Sequence, residues 1–369
     1  MSLWDASDFN AESSYSYAMR EQLARDFEVT NIFPLTSRRA WLFAPLKAVS
    51  VLHGGYYSPI REPLVLKEFA RQIERRLRQT KVDVIFAPST IPITYLDTTK
   101  PVVISTDQVF NSALDGYLQN PTRRFRRIGH AQESRALGAA AQAFFPSTWA
   151  ACEARRYYPI THDRVHVVPW GANLAGSLSE DQVSASIATR SPDECRIVFI
   201  GRDWRRKGGT RVVDTLSALR RNGIDASLVV IGCTPSVPEE LPVTIIPRLD
   251  KRDPTQRANF FEVMSRAHFL FVPSQAEAFG QVFCEACAFG VPSVGSTAGG
   301  IPTIIIDGVT GFTRSYDTPA AIFARIIADC LSDFTAYRRM ACAAREDYNA
   351  RLNWDRFGAT ICSQLKQLC

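Results

Sequence analysis

Two parallel-sheet α/β domains are what this sequence predicts, and three observations predict them. Short apolar runs suited to buried parallel strands alternate with amphipathic helical patterns along nearly the whole chain. The 369 residues exceed what one hydrophobic core usually organises. Near the middle, the stretch from Leu174 to Glu194 is rich in Ser, Ala, Asp and Gly and interrupts the alternation. Domain boundaries fall in such polar stretches, where few contacts cross. The first domain is therefore expected over 1–175, a linker over 176–194 and the second domain over 195–353.

The elements follow in order. A helix is expected over 15–25, with Ser13 or Ser14 as its N-cap. A second helix follows over 67–79, where apolar residues recur at helical spacing. Buried strands are expected at 82–87, 102–105, 143–146 and 165–169. In the second domain they are expected at 196–200, 227–231, 243–246, 268–272 and 293–295, with helices over 210–221 and 318–329. The stretch 354–368 is amphipathic and reads as a final helix.

Composition narrows the class. Apolar residues at 46% can fill two cores, charged residues at 22% are ordinary for a soluble chain, and the net charge of +6 is modest. No stretch is long and apolar enough to cross a bilayer. The first residues, Met1-Ser2-Leu3-Trp4-Asp5, lack the basic start and apolar core of a signal peptide, so a cytoplasmic location is expected. The nine cysteines begin only at Cys152 and follow no regular disulfide spacing. Cys284-Glu285-Ala286-Cys287 spells C-x-x-C, but no second pair or nearby His completes a metal site, and packing explains both thiols.

The most informative stretch runs from Pro273 to Gly290. Pro273-Ser274 ends the strand at 268–272, and Gly290 terminates a helix that begins after Gly280. Glu277 then falls in the strand-to-helix loop and Glu285 on the first turns of the helix. A carboxylate near a helix start is a common cap. A second one among Ala286, Ala288 and Phe289 is harder to explain by solubility. Two acceptor-only groups at the mouth of a parallel sheet suit the hydroxyls of a sugar and a ribose. A second basic constellation precedes them: Arg202 directly follows the strand at 196–200, and Lys207 stands in the same loop before Gly208-Gly209. A guanidinium fork and an ammonium on a cleft surface loop there can neutralise a diphosphate, helped by the helix start behind them. A plain basic loop is the alternative, with Arg205 and Arg206 solvated.

These pieces, with Phe199-Ile200-Gly201-Arg202, Phe289-Gly290-Val291-Pro292, Ala298-Gly299-Gly300-Ile301-Pro302 and Asp307-Gly308-Val309-Thr310-Gly311-Phe312, stand in a family's order. Residues 195–312 resemble the donor-binding half of glycosyltransferase family four, the bacterial-type group 1, retaining, metal-independent transferases. The resemblance implies the GT-B fold: two Rossmann-like, doubly wound domains facing across a cleft, with the C-terminal helix, here about 354–369, crossing back onto the first. It implies a nucleotide diphosphate sugar donor, UDP- or GDP-linked, and transfer of a hexose-type sugar. The acceptor would be a hydroxyl of a glycan, a lipid-linked sugar or a small molecule, in cell-surface glycan or glycoconjugate biosynthesis. Neither a cofactor, a metal nor a nucleic-acid partner is implied.

By the same resemblance Arg202 and Lys207 hold the donor's phosphates and Glu285 accepts from the ribose hydroxyls. Glu277 contacts the transferred sugar, and the backbone N–H groups of Phe279, Gly280, Gln281 and Val282 meet phosphate or sugar. Arg248 lies where the nucleobase rests. The family often carries Glu after Pro302; this chain has Thr303, which is given no role. The first half resembles the family less: no glycine turn opens it, though Ser13 and Ser14 hydroxyls stand there instead. Asp107 follows the strand at 102–105 about where many members have His near the anomeric centre, and His130 with Glu133 is an alternative. His53, in His53-Gly54-Gly55-Tyr56-Tyr57, is an acceptor-lip candidate. Arg71, Arg75, Arg76 and Arg78, and the run Arg123-Arg124-Phe125-Arg126-Arg127, read as solvated basic faces or as a peripheral attachment to an anionic inner membrane face. A non-hydrolysing nucleotide-sugar epimerase and a non-catalytic nucleotide-sugar binder remain the alternatives in function.

Overall fold

The computed structural model describes residues 15–176 and 178–369, and it divides the chain into two units. The first takes residues up to Trp170 together with 354–369, and the second takes 171–353.

In the first unit four parallel strands pair in chain order, β1 (Ile85–Ala87), β2 (Val102–Ser105), β3 (Gln142–Phe145) and β4 (Val165–Val167). The register sets Ile85 beside Val102, Ile104 beside Ala143 and Phe144 beside His166. The strands are short and, except for β4 with its exposed Val167, largely buried, as the apolar runs at 82–87, 102–105 and 143–146 lead one to expect. The core around them includes Ile104, Phe110, Phe125, Leu137 and Phe145. Helix Arg123–Ala139 starts where the Thr122 hydroxyl accepts from Phe125 N, and helix Thr148–Tyr157 where Ser147 accepts from Ala150 N. The final helix, Trp354–Leu365, packs against helix Tyr15–Leu23. Gly358 allows the approach, since a Cβ there would stand 2.5 Å from Gln22 Oε1. Ion pairs Lys366–Asp26 at 2.7 Å and Arg25–Asp355 at 2.6 Å flank that contact. Ser13 and Ser14, expected to cap the first helix, lie outside the described residues.

The second unit holds six parallel strands: β5 (Cys195–Ile200), β6 (Ala226–Ile231), β7 (Val243–Ile246), β8 (Phe269–Val272), β9 (Ser293–Ser296) and β10 (Gly311–Arg314). Their order is β10-β9-β8-β5-β6-β7. From β5 the chain winds outward through β6 and β7, then returns to β8 and winds the other way. The reversal between β5 and β8 is a topological switch point, where crossovers leave to opposite sides and a crevice opens beyond the strand ends. Strand β10 was not anticipated from the sequence. It pairs with β9 where a Cβ on Gly311 would collide with Ser293 O, so only glycine admits the approach. The stretch expected as linker also differs. Ser179 and Gln182 form a capping box that starts helix Glu180–Thr189, whose Val183 and Ile187 are buried against Ala341. An i, i+4 apolar pair behind such a cap outweighs a polar composition.

Candidate donor site

The site is built where β5 and β8 end. Beyond β5 the loop from Gly201 to Gly208 leads into helix Gly209–Arg221, and beyond β8 the loop from Pro273 to Gly280 leads into helix Gln281–Ala288. Backbone geometry forces the two loops together. Gly208 adopts φ +77, and a Cβ there would collide with Pro273 O; one on Gly209 would collide with the Trp204 ring, which packs edge-on to Phe199 at 5.0 Å. Gln275 N donates to Arg206 O at 2.7 Å, and Arg206 Nη1 donates to Ala276 O at 2.6 Å. Gly280 enters its helix at φ +99, a left-handed conformation that costs a side chain dearly. Gly300 N donates to Glu277 O at 3.2 Å, so the Gly299-Gly300 turn also holds this loop.

On this frame the two expected constellations meet. Lys207 Nζ forms an ion pair with Glu277 Oε2, which also accepts from the Ser274 hydroxyl at 3.2 Å and lies 3.9 Å from Arg206 Nη1. Both partners' side chains retain only 10% exposure. Lys207 is therefore not the surface side chain the loop suggested, whereas Arg202 is exposed. Arg206, expected to be solvated, is a second correction: the loop turns its guanidinium inward, where it joins the two loops and adds positive charge beside Glu277.

Glu285 is buried on the first turns of its helix, as expected, but its partner was not foreseen. Lys251 Nζ lies 2.6 Å from Glu285 Oε2, donates to Asn173 O at 3.1 Å and sits 4.4 Å from the Phe260 ring centroid. Burial pushes the Glu285 carboxyl above its ordinary value, opposed by Lys251 and Lys207. Lys251 belongs to the same loop after β7 as Arg248, which stays exposed. The sequence singled out this loop through Arg248 and did not single out Lys251. The readable signal was position, for Lys251 immediately precedes Arg252 and Asp253, the N-cap of helix Pro254–Arg266. Phe279 and Gly280 are buried at the head of the Glu285 helix, and Gln281 reaches Gly171 O at 3.2 Å through Nε2; Val282 is the next residue of that first turn. Cys284 and Cys287 are buried and form no disulfide, and burial raises both thiols, Cys287 to about 12. They pack.

The first unit's candidates do not converge in this way. Asp107 is half-buried just beyond β2. His130 is wedged edge-on to Phe110 at 5.3 Å with Nδ1 3.3 Å from the Tyr158 hydroxyl, and burial followed by Arg126 lowers its pKa. Glu133 is buried and accepts from the Thr90 hydroxyl at 2.6 Å. His53 is exposed, and its Nδ1–H donates to Val49 O at 2.9 Å across the end of its own helix. A cavity of about 300 Å³ beside β1, lined by residues such as Phe27, Ile32 and Ile85, contains none of the candidates.

Two Rossmann-like units with parallel sheets, the last helix returning to the first, define the GT-B fold. Solved structures agree in fold: sucrose-phosphate synthase from Thermosynechococcus elongatus superposes with a TM-score of 0.63 at 19% identity, over 82% of this chain and 78% of that one. HepE from Anabaena, in complex with UDP-glucose, gives 0.60 at 16% identity over 83% and 84%. Residues 12–175 match the profile described as glycosyltransferase family 4, and residues 194–333 the profile described as glycosyl transferases group 1. The chain belongs to this family, the group 1 transferases of glycosyltransferase family four. Among curated relatives, a D-inositol 3-phosphate glycosyltransferase from Xylanimonas cellulosilytica is 30% identical over 257 residues, 65% of this chain and 60% of that protein. The match thus spans about three fifths of the relative's length.

Proposed function

We propose that the protein transfers a hexose-type sugar, with retention, from a nucleotide diphosphate sugar to a hydroxyl acceptor. The observation that carries this reading is the joining of the two strand-end loops at the switch point, which sets Lys207 on Glu277 beside the buried Glu285. A carboxylate held by an ammonium can exchange that partner for ligand hydroxyls while the ammonium turns to a phosphate. In this reading Arg202 and Lys207 neutralise the departing diphosphate, which takes the acceptor's proton on the same face of the sugar. Glu285, positioned by Lys251, accepts from the ribose, and Glu277 from the transferred sugar. No carboxylate nucleophile and no metal are invoked.

The names of the relatives support a nucleotide-sugar donor and point to small phosphorylated acceptors as the first to try: HepE is solved with UDP-glucose, and two relatives are named for phosphate-bearing substrates or products. The test is release of nucleoside diphosphate from a panel of UDP- and GDP-sugars, with and without sugar phosphates and inositol phosphate, with the product's anomeric configuration read by NMR. Transfer with retention is expected. An isomerised donor would identify an epimerase instead, and stabilisation by nucleotide sugars without turnover would leave a binding protein.

A further inference from the structure

The first unit carries an exposed apolar surface over residues 38–52, ending beside His53. The 3₁₀ turn Arg38–Phe43 runs directly into helix Ala44–Leu52, and among the residues of that helix only Ser50 is buried. Trp41 is 80% exposed and Leu52 82%, and Leu42, Leu46, Val49 and Val51 are exposed with them. An apolar helix laid open on nearly every side is not the usual outer surface of a globular domain, where exposed apolar residues are scattered.

Charge identifies what covers it. From residue 29 to residue 61 there is no Asp or Glu, while Arg38, Arg39 and Lys47 are exposed within the patch. The fold adds more. Asn120 Nδ2 donates to Gly54 O at 3.4 Å, Tyr56 N donates to Asn120 O at 2.9 Å and Thr122 N to Tyr56 O at 3.0 Å. These bonds fasten the end of the apolar helix to the start of helix Arg123–Ala139, where Arg123, Arg126 and Arg127 are exposed. Arg124 is engaged by Glu62 at 2.6 Å. Exposed apolar side chains and an indole, with Arg38, Arg39 and Lys47 among them and the half-buried Glu68 held by Ser37 at their edge, match an interface between acyl chains and anionic headgroups. No helix among the described residues is long and apolar enough to cross a membrane.

We propose that residues 38–52 dock the protein on the surface of an anionic phospholipid bilayer, Trp41, Leu42 and Leu52 entering the headgroup layer and Arg38, Arg39 and Lys47 pairing with lipid phosphates. The inference does not rest on the transfer reaction: it stands on residues of the first unit, whereas the donor loops belong to the second. The sequence offered the arginine runs as solvated faces or as a membrane contact; the proposal centres the contact on the apolar helix, with Arg123, Arg126 and Arg127 at its border.

Flotation of the full chain with phosphatidylcholine vesicles, with and without phosphatidylglycerol, at low and high salt tests it. Binding is expected to the anionic vesicles at low salt, and to fall by roughly tenfold or more in a Trp41→Ser/Leu52→Ser variant. The exposed positions should leave the far-UV spectrum and melting temperature of that variant unchanged. Replacing Arg38, Arg39 and Lys47 by Gln should remove the salt-sensitive part. Absence of binding to anionic vesicles, or binding that the Trp41/Leu52 variant retains in full, overturns the proposal. So does a wild-type dimer that the variant converts to monomer without any vesicle binding, which would make a second copy the occupant.

Discussion

Glu62 and Glu133 in the first unit and Glu277 and Glu285 in the second are all carboxylates withdrawn from water, and they are satisfied in opposite ways. Glu62 is clasped on both oxygens: Oε1 accepts from the Tyr57 hydroxyl at 2.5 Å and Arg124 Nε at 2.8 Å, and Oε2 from Arg124 Nη2 at 2.6 Å. Glu133 takes the Thr90 hydroxyl, the Phe110 backbone and Arg61 at 3.8 Å. Glu62 joins a helix start to a neighbouring helix, and Glu133 joins its helix to the segments just beyond β1 and β2. Glu277 and Glu285 are each joined through Oε2 to a flexible lysine, on loops that the switch point brings together. Burial of a charge is thus no sign of a site by itself. What distinguishes the second unit is that each carboxylate pairs with a lysine ammonium, a point charge with three rotatable donors.

The largest expected effect tests the structural side of this contrast. Arg61→Met leaves the Glu133 carboxyl buried without its cation, which should cost roughly 3–5 kcal/mol of stability in denaturant titration. Nucleotide-sugar binding, measured by calorimetry where the variant is folded, should not change; weakened binding at unchanged stability would break the comparison.

Next in size is an acid sensitivity expected to be strongest in the second unit, although burial also lowers the pKa of His130 and His166 in the first. His268 is buried, its Nδ1 accepting from Arg196 N at 3.1 Å and its Nε2–H donating to Ser191 O at 2.9 Å. Desolvation lowers its pKa from 6.5 to about 4. The unfolded chain therefore takes up this proton first as pH falls, and stability present above pH 6.5 is lost down to about pH 4. The loss is roughly 3 kcal/mol. For Glu62, burial acts to raise the pKa, but the Arg124 and Tyr57 hydrogen bonds outweigh it and the net shift is downward. Its contribution is lost only below the ordinary carboxylate range, so hydrogen exchange on acidification should rise in the second unit first. His268→Gln should abolish the difference.

Lys207→Ala and Arg202→Ala should each weaken donor binding and turnover by roughly 1.5–3 kcal/mol in steady-state kinetics. Only Lys207→Ala should also lower the melting temperature, because it strands Glu277, whereas Arg202 is exposed. Wild-type kinetics in both variants would place the donor elsewhere. The smallest effect separates the two glutamates. Glu285→Gln should raise the donor KM, since ribose is held alike in ground and transition states, and Glu277→Gln should lower kcat. Equal changes in both parameters for both variants would erase the distinction.

Much of the second unit was legible because its signals are local. An apolar run read as a strand at 268–272 ends within a residue of β8, and Gly290 ends its helix with φ +58. What was missed depends on side-chain direction and on distant pairing. Nothing adjacent to Lys251 says that it meets Glu285, 34 positions later by number, and Arg206 looked like its exposed neighbour Arg205 until the two loops closed on each other. Strand β10 hid in a glycine motif whose tight approach to β9 leaves no apolar run to read. In the first unit the strands were visible, but Asp107, His130 and His53 carry no pattern that fixes a role. The exposed apolar helix was missed for a different reason: an apolar stretch reads as core until burial shows otherwise.

The return of helix Trp354–Leu365 to the first unit has a consequence for synthesis on the ribosome. The second unit is continuous from Gly171 to Asn353, so it can close as soon as its last residue leaves the exit tunnel. The first unit, translated earlier, must wait for helix Trp354–Leu365 before the surface of helix Tyr15–Leu23 around Gln22 and Asp26 is covered by Gly358 and Lys366. The half made first is finished last, and throughout that interval its open flank is the natural place for a chaperone to hold the nascent protein.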